Sequence, residues 1–143
     1  MDPLFLGEFE HNIDQKGRVA IPSRLRDSFV DGLVLARGYE KCIVVYPLAE
    51  WNKVAERLAA LPSTQSRVRR ISRSTFSSAF QQEVDGQGRV LIPPQLREYA
   101  GINGDVVIVG VNNYIEIWSK ANWVVESATM EQETWQLAEG VQA

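Results

Sequence analysis

One stretch of this chain occurs twice, first as Asp14-Gln15-Lys16-Gly17-Arg18-Val19-Ala20-Ile21-Pro22 and again as Asp85-Gly86-Gln87-Gly88-Arg89-Val90-Leu91-Ile92-Pro93. When the copies are extended to Arg26 and Arg97, they agree at eight of thirteen positions. A single Asp-x-x-Gly-Arg segment is typical of any hairpin turn. Its repetition with the same arginine indicates instead that one folding unit has been duplicated.

Each copy predicts a hairpin that leads into a helix. An aspartate favours the first turn position because its side chain accepts hydrogen bonds from the following backbone, and a glycine supplies the positive φ that closes the turn. A proline then follows a short β-branched run, where it ends the strand and suits the first turn of a helix. The turn-forming residues are therefore predicted to be Asp14, Gly17 and Pro22 in the first copy and Asp85, Gly88 and Pro93 in the second.

The correspondence extends over whole units, since Gly38 matches Gly110 and Trp51 matches Trp123. We predict a first repeat at residues 4–61, a basic connector at 62–78, a second repeat at 79–138 and a tail at 139–143. Two units of about 70 residues would each bury too little surface alone. We therefore expect them to share one core rather than to form two separate beads, which would each have a thin core.

Hydrophobic periodicity predicts short strands, with a brief helix after the turn and a second helix that closes each unit. The predicted strands are residues 4–13, 18–21, 33–37, 42–46, 106–109 and 114–118. The predicted helices begin at Pro22, near Leu48, within the connector, at Pro94 with a C-cap at Gly101, and after an N-cap at Ser119. Beyond about residue 130 the chain is rich in Gln and Glu, and we expect it to fray toward Gly140. Short strands of this kind suit a compact, mainly β, barrel in which the two halves interleave, because closure removes exposed strand edges.

The charge of the chain is segregated along the sequence. The net charge is −3 and the pI about 5.2, which by itself argues against a nucleic-acid partner. Residues 12–26, however, carry a local charge of +3 and residues 63–76 a local +4, whereas residues 116–143 carry −4. Since attraction to a polyanion follows the local field, the acidic total does not exclude a basic face.

The sequence offers little enzyme machinery. His11 is the one histidine and Cys42 the one cysteine, so a catalytic Cys/His pair or a histidine metal site lacks ligands, and we expect no enzyme, cofactor or metal. A lone cysteine excludes an intramolecular disulfide and fits a reducing cytoplasm. No apolar run approaches the roughly 20 residues of a membrane span, and the first residues lack a signal-peptide pattern.

The basic residues of the hairpins and the connector indicate nucleic-acid binding as a candidate function. A cation held by a tight hairpin loses little entropy on contacting a ligand, and arginine can donate two hydrogen bonds to guanine. Lys16 and Arg18 are the candidates, although solvated loop tips carry such charges as well. The connector arginines Arg67, Arg69, Arg70 and Arg73 suit a solvated helix face or a surface that meets the acidic C-terminal segment of another subunit.

The repeated unit resembles the AbrB-type swapped-hairpin DNA-binding motif, and two such units in one chain resemble the MraZ family of bacterial transcriptional regulators. The segments that carry this resemblance are residues 5–9, residues 85–93 and residues 96–101, and it covers about residues 4–138. It implies an intramolecularly duplicated, double-split β-barrel with short helices and pseudo-twofold symmetry. It also implies a cytoplasmic, nucleoid-associated homo-oligomer, assembled as a ring, that binds promoter direct repeats in double-stranded DNA and represses its own operon of division and cell-wall genes.

The resemblance assigns base contact to Lys16, Gly17 and Arg18, and Arg24 and Arg89 complete the predicted DNA-binding set. The second copy departs from the first, with Gln87 in place of Lys16 and Gln95 in place of Arg24. Equal DNA contact by both loops is therefore in question. The alternative is an antitoxin-like DNA-binding protein whose main partner is a toxin. Such proteins usually carry one motif and a long acidic tail, which the duplication here argues against.

Overall fold

A computed structural model describes residues 4–140 of the chain. Its strands are β1 (Glu8–Asn12), β2 (Arg18–Ala20), β3 (Leu33–Arg37), β4 (Ile43–Pro47), β5 (Phe80–Gln82), β6 (Arg89–Leu91), β7 (Asp105–Val111) and β8 (Tyr114–Ser119). Its helices are α1 (Leu48–Ala59), α2 (Ser66–Ser77), α3 (Pro94–Ala100) and α4 (Lys120–Glu139), together with the 3₁₀ helices Ser23–Phe29 and Tyr39–Lys41.

The strand order confirms the duplication. Six strands form one antiparallel sheet in the order β1-β7-β8-β4-β3-β5, and β2 pairs with β6 in a separate two-stranded ribbon. Strands β1 to β4 of the first unit correspond to β5 to β8 of the second. When each strand of the sheet is replaced by its counterpart, the result is the same order read from the opposite edge, as a pseudo-twofold axis requires. Moreover, β1 pairs with β7 and β5 with β3, so each unit gives its first strand to the other. The halves interleave as predicted, but the sheet and the ribbon do not join into a closed barrel.

The main core lies between the sheet and the ribbon with its flanking helices. Alternate residues of the sheet strands point inward, as a period of two requires. Both units contribute fully buried side chains to this single cluster, including Val19 and Phe29 from the first and Val90 and Leu96 from the second. A smaller cluster on the outer face of the sheet joins Trp118 to Trp123 of α4. The inner cluster is therefore one core built by two units.

Local signals place most element boundaries. Gly101 takes φ 66° after α3, and the Ser119 hydroxyl accepts a hydrogen bond from the Asn122 N–H at 3.1 Å, as predicted for the two caps. One prediction was wrong. The first strand is shorter than residues 4–13 because Gly7 takes φ 91° and interrupts it. Helix α4 continues to Glu139.

Along residues 4–140, none of the helices combines the length and the apolar character that crossing a bilayer would require.

Candidate nucleic-acid interface

An aspartate organises each hairpin loop. In the first loop, residues 14–18, Oδ1 of Asp14 accepts the N–H groups of Lys16 and Arg18, both at 2.9 Å, and its carbonyl accepts the N–H of Gly17 at 3.0 Å. Gly17 takes φ 85°, which non-glycine residues rarely adopt. The carboxylate replaces the hydrogen bonds that the turn backbone cannot make with itself. The loop is therefore held in one shape from within.

The second loop, residues 85–89, repeats this arrangement. Oδ1 of Asp85 accepts the N–H groups of Gln87 at 2.8 Å and Arg89 at 2.9 Å, and Gly88 takes φ 79°. These backbone donors, Arg89 first for Asp85 and Arg18 first for Asp14, lower the pKa of both carboxyl groups. Both aspartates therefore stay ionised at neutral pH. The turn residues predicted from the sequence thus form two matching loops.

The loop arginines are ion-paired rather than freely projecting. Nε of Arg18 donates to Oδ2 of Asp14 at 2.8 Å, and Nε of Arg89 donates to Oδ2 of Asp85 at 3.0 Å. Their side chains are only 27% and 28% exposed, and each residue begins a strand of the ribbon instead of occupying the loop apex. Lys16 and Gln87, rather than the two arginines, lie at the loop tips and are exposed.

The two loops lie beside each other. The ribbon is closed at both ends across the units, because the Ile21 N–H donates to the Gly88 carbonyl and the Ile92 N–H to the Gly17 carbonyl, each at 2.8 Å. In addition, Nη1 of Arg89 lies 4.0 Å from Oδ2 of Asp14. The ribbon therefore brings Arg89 of the second loop next to Asp14 of the first.

A second pair of arginines supports the loops from the opposite unit. Nε of Arg26 donates to the Ile21 carbonyl at 2.7 Å, and its guanidinium lies against Gly88; a Cβ there would be 2.2 Å from Cζ. Arg97 lies in the same way against Gly17, where a Cβ would be 3.1 Å from its Cζ. Nε of Arg97 is buried and lacks a hydrogen-bond partner among residues 4–140.

Sequence reasoning did not assign these two arginines to the site. Their identity in both copies was the available signal, because an exposed helix residue has no reason to be repeated. Arg24, which was assigned, is exposed on its 3₁₀ helix, and its Cζ lies 5.9 Å from the centre of the Phe9 ring. Its counterpart Gln95 carries no charge, so the two sides of the ribbon differ.

Replacing Gly88 with alanine should destabilise the protein. The positive φ costs a side chain roughly 1–2 kcal/mol, and the new methyl would displace Arg26 from its hydrogen bond to Ile21, which adds about 1 kcal/mol. We expect thermal unfolding to show a loss of about 2 kcal/mol. Gly86→Ala in the same loop is the control, because a Cβ at that position would have no non-neighbouring atom of residues 4–140 within 4 Å. Equal losses in both variants would show that neither the φ nor the Arg26 contact constrains the loop.

Comparison with known proteins gives a consistent result. The fold defines a duplicated swapped-hairpin protein, and a family model described as "MraZ protein, putative antitoxin-like" matches residues 4–74 and again residues 75–139. The "Transcriptional regulator MraZ" of Dehalococcoides mccartyi is 46% identical over 137 residues, which is 95% of this chain and 96% of that protein. Those of Desulforamulus reducens and Herpetosiphon aurantiacus are 44% and 42% identical, and the similarity covers 96% and 98% of this chain and 97% and 98% of those proteins. The chain belongs to the MraZ family.

Proposed function

We propose that this chain is a sequence-specific DNA-binding transcriptional regulator that represses its own division and cell-wall operon. It binds upstream direct repeats as a ring-shaped homo-oligomer, in the cytoplasm and associated with the nucleoid. Its family relatives carry the name of transcriptional regulators. The observation that carries the proposal is the pair of loops held rigidly side by side, with Nη1 of Arg89 only 4.0 Å from Oδ2 of Asp14.

The geometry of Arg18 suits contact with a base edge. Its Nε–H is occupied by Asp14, so the N–H groups of its two terminal nitrogens are the ones directed to a ligand. A guanidinium fork of this kind donates to guanine O6 and N7 together, and each such contact is worth roughly 1–3 kcal/mol of discrimination. Because the ion pair already fixes the side chain, binding costs less conformational entropy. Lys16 at the apex adds an exposed positive charge.

The two loops are proposed to differ in role. The first contains Asp14, Lys16 and Arg18, a net charge of +1, whereas in the second Asp85 cancels Arg89. The first loop, with Arg24 beside it, would therefore contact bases and phosphates, and Arg89 would mainly contact phosphate. Each subunit offers few contacts. Several subunits that bind consecutive repeats raise the effective concentration and supply the missing affinity.

The proposal is tested by fluorescence anisotropy on two duplexes, one from the region upstream of the chain's own gene and one with the same bases scrambled, at fixed salt. Specific binding is expected to be tighter by at least about 10³-fold. Light scattering in parallel should give a mass several times the 16.1 kDa of one chain. Equal affinity for the two duplexes would contradict sequence-specific binding, and a mass of one chain would contradict the ring.

A second candidate function is that of an antitoxin-like protein whose main partner is a toxin, as the description of the matched family suggests. It predicts that a second small polypeptide from the same organism copurifies stoichiometrically with the tagged chain. Under the repressor proposal, the chain copurifies instead with its upstream DNA after crosslinking.

A further inference from the structure

The last helix of the chain is only partly covered. Near its start, Trp123 packs against Trp118 with ring centres 5.5 Å apart. Residues 128–140, in contrast, are all exposed, and Trp135 retains 82% of its accessible surface. A helical segment of about a dozen residues is marginal in water without tertiary contacts. Among residues 4–140, the uncovered half of α4 therefore lacks the packing that would stabilise it.

Apolar side chains occur on two sides of α4. At helical spacing, Val124, Ala128 and Trp135 fall on one side, and Met130 and Leu137 fall on the side that continues from Trp123. Exposed aromatic and aliphatic residues in such a cluster are typical of a protein–protein contact.

A groove of about 960 Å³ lies on the outer face of the sheet, beside α1 and α2. Aromatic rings line it: Trp51 contacts Tyr46, and Tyr46 contacts Tyr114, with ring centres 5.6 and 5.5 Å apart. Ile71 of α2 also lines the groove and is half exposed. The groove is thus apolar and aromatic along its floor and is open to solvent.

The groove and the helix have opposite charges. Four arginines line the groove, and two acidic residues, Glu40 and Glu116, oppose them. The lining arginines are Arg37, Arg57, Arg67 and Arg70. Residues 121–140 contain four glutamates and no lysine or arginine. Glu116 accepts a hydrogen bond from Nε1 of Trp118 at 3.0 Å, and burial raises its pKa, so it opposes an acidic partner less than an exposed carboxylate would.

We propose that the exposed half of α4 from one subunit occupies the groove between the sheet and helices α1 and α2 of a second copy of this chain. The helix is continuous and its second half is exposed, so it does not fill the groove of its own chain. The two surfaces differ, which makes the contact heterologous; repeated head to tail, it closes into a ring if the rotation allows. The inference rests on the homo-oligomer of the proposed function and supplies its interface.

The test disables each surface separately in the full-length chain. Trp135→Ala with Leu137→Ala removes the apolar anchors of the helix, and Arg67→Glu with Arg70→Glu reverses the charge of the groove. Each double variant should raise the subunit dissociation constant by about 30-fold or more, the usual effect of losing a buried aromatic or arginine anchor. Size-exclusion chromatography with multi-angle light scattering should then record mainly single chains of 16.1 kDa.

Arg69→Glu with Arg73→Glu is the matched control, because these arginines lie on the same helix, carry the same charge and are absent from the groove lining. This variant should keep the wild-type mass. Circular dichroism on every variant establishes that the chain is folded. If the helix variants or the groove variants kept the wild-type mass while folded, the inference would be overturned even though the ring could stand.

Mixing gives the most specific outcome. Each double variant retains the surface that the other has lost, so an equimolar mixture should form dimers of about 32 kDa, twice the mass of one chain, and stop there. Failure of the mixture to form dimers would overturn the proposal, because it would show that the helix and the groove do not meet in one contact. A wild type that is monomeric would overturn both the ring and this inference, whereas a wild-type oligomer that shows no sequence preference in DNA binding would overturn only the proposed function. A toxin in the groove would appear as a second polypeptide in place of the second copy.

Discussion

Arg18→Ala should bring the affinity for the operator close to the affinity for random DNA. Arg18 is the one arginine in the fuller loop, and its terminal N–H groups are the proposed contact with guanine. Losing a bidentate contact costs roughly 1–3 kcal/mol of discrimination for each subunit that binds, so several subunits together should lose at least about 10²-fold. The measurement is a salt titration on operator and scrambled duplexes, with the oligomeric mass followed in parallel. The mass should not change, since Arg18 lies outside the proposed subunit contact.

Removing Arg18 also leaves Asp14 with one partner fewer, and its negative charge would repel phosphate. Arg18→Lys separates the two effects because lysine keeps the charge and loses the planar fork. It should bind both duplexes with nearly the wild-type salt dependence and still lose the preference for the operator. Arg89→Ala should instead weaken binding to both duplexes alike. It should also reduce the slope of the logarithm of affinity against the logarithm of salt concentration by about one unit, as expected for one phosphate contact. Full discrimination by Arg18→Ala would show that the first loop does not contact bases.

The loops could be predicted from the sequence because their geometry depends on local chemistry. Asp14 and Gly17 are three residues apart, and the hydrogen bond that joins them forms within the turn. Arg26 and Arg97 were not assigned to the site because the glycines they pack against belong to the other unit. No local pattern predicts a contact between residues so far apart in the chain. The position of the Arg18 side chain was not predicted for a similar reason, because charge and spacing do not show that it forms an ion pair with Asp14.

The fold, like the loops, could be predicted where the signals are local and not where it depends on distant contacts. Periodicity located the strands and Gly101 and Ser119 marked helix boundaries, since both signals act within a few residues. The open sheet with its separate ribbon depends on which strands pair across the units, and that choice depends on the shared core. The continuation of α4 to Glu139 was not predicted, because its Gln- and Glu-rich composition indicates fraying in a single chain. A helix that is to be covered by a second copy gives no different signal.

Phe29→Ala should destabilise both units together. Phe29 is 1% exposed and stacks on Phe5 with ring centres 5.3 Å apart, in the cluster to which both units contribute. Truncating a buried phenylalanine costs about 3–5 kcal/mol, from lost burial and from the cavity that remains. Thermal unfolding at fixed protein concentration should show one transition, lowered by roughly 10 °C or more. Val30→Ala is the control, since the Val30 side chain is 77% exposed and its truncation should change the free energy of unfolding by no more than about 0.5 kcal/mol.

Hydrogen exchange provides the decisive measurement, because the Ile21 and Ile92 N–H groups bind across the ribbon to opposite units. Both amides should lose protection equally in Phe29→Ala; protection that persists at one of them, or a second transition, would mean that the units fold independently.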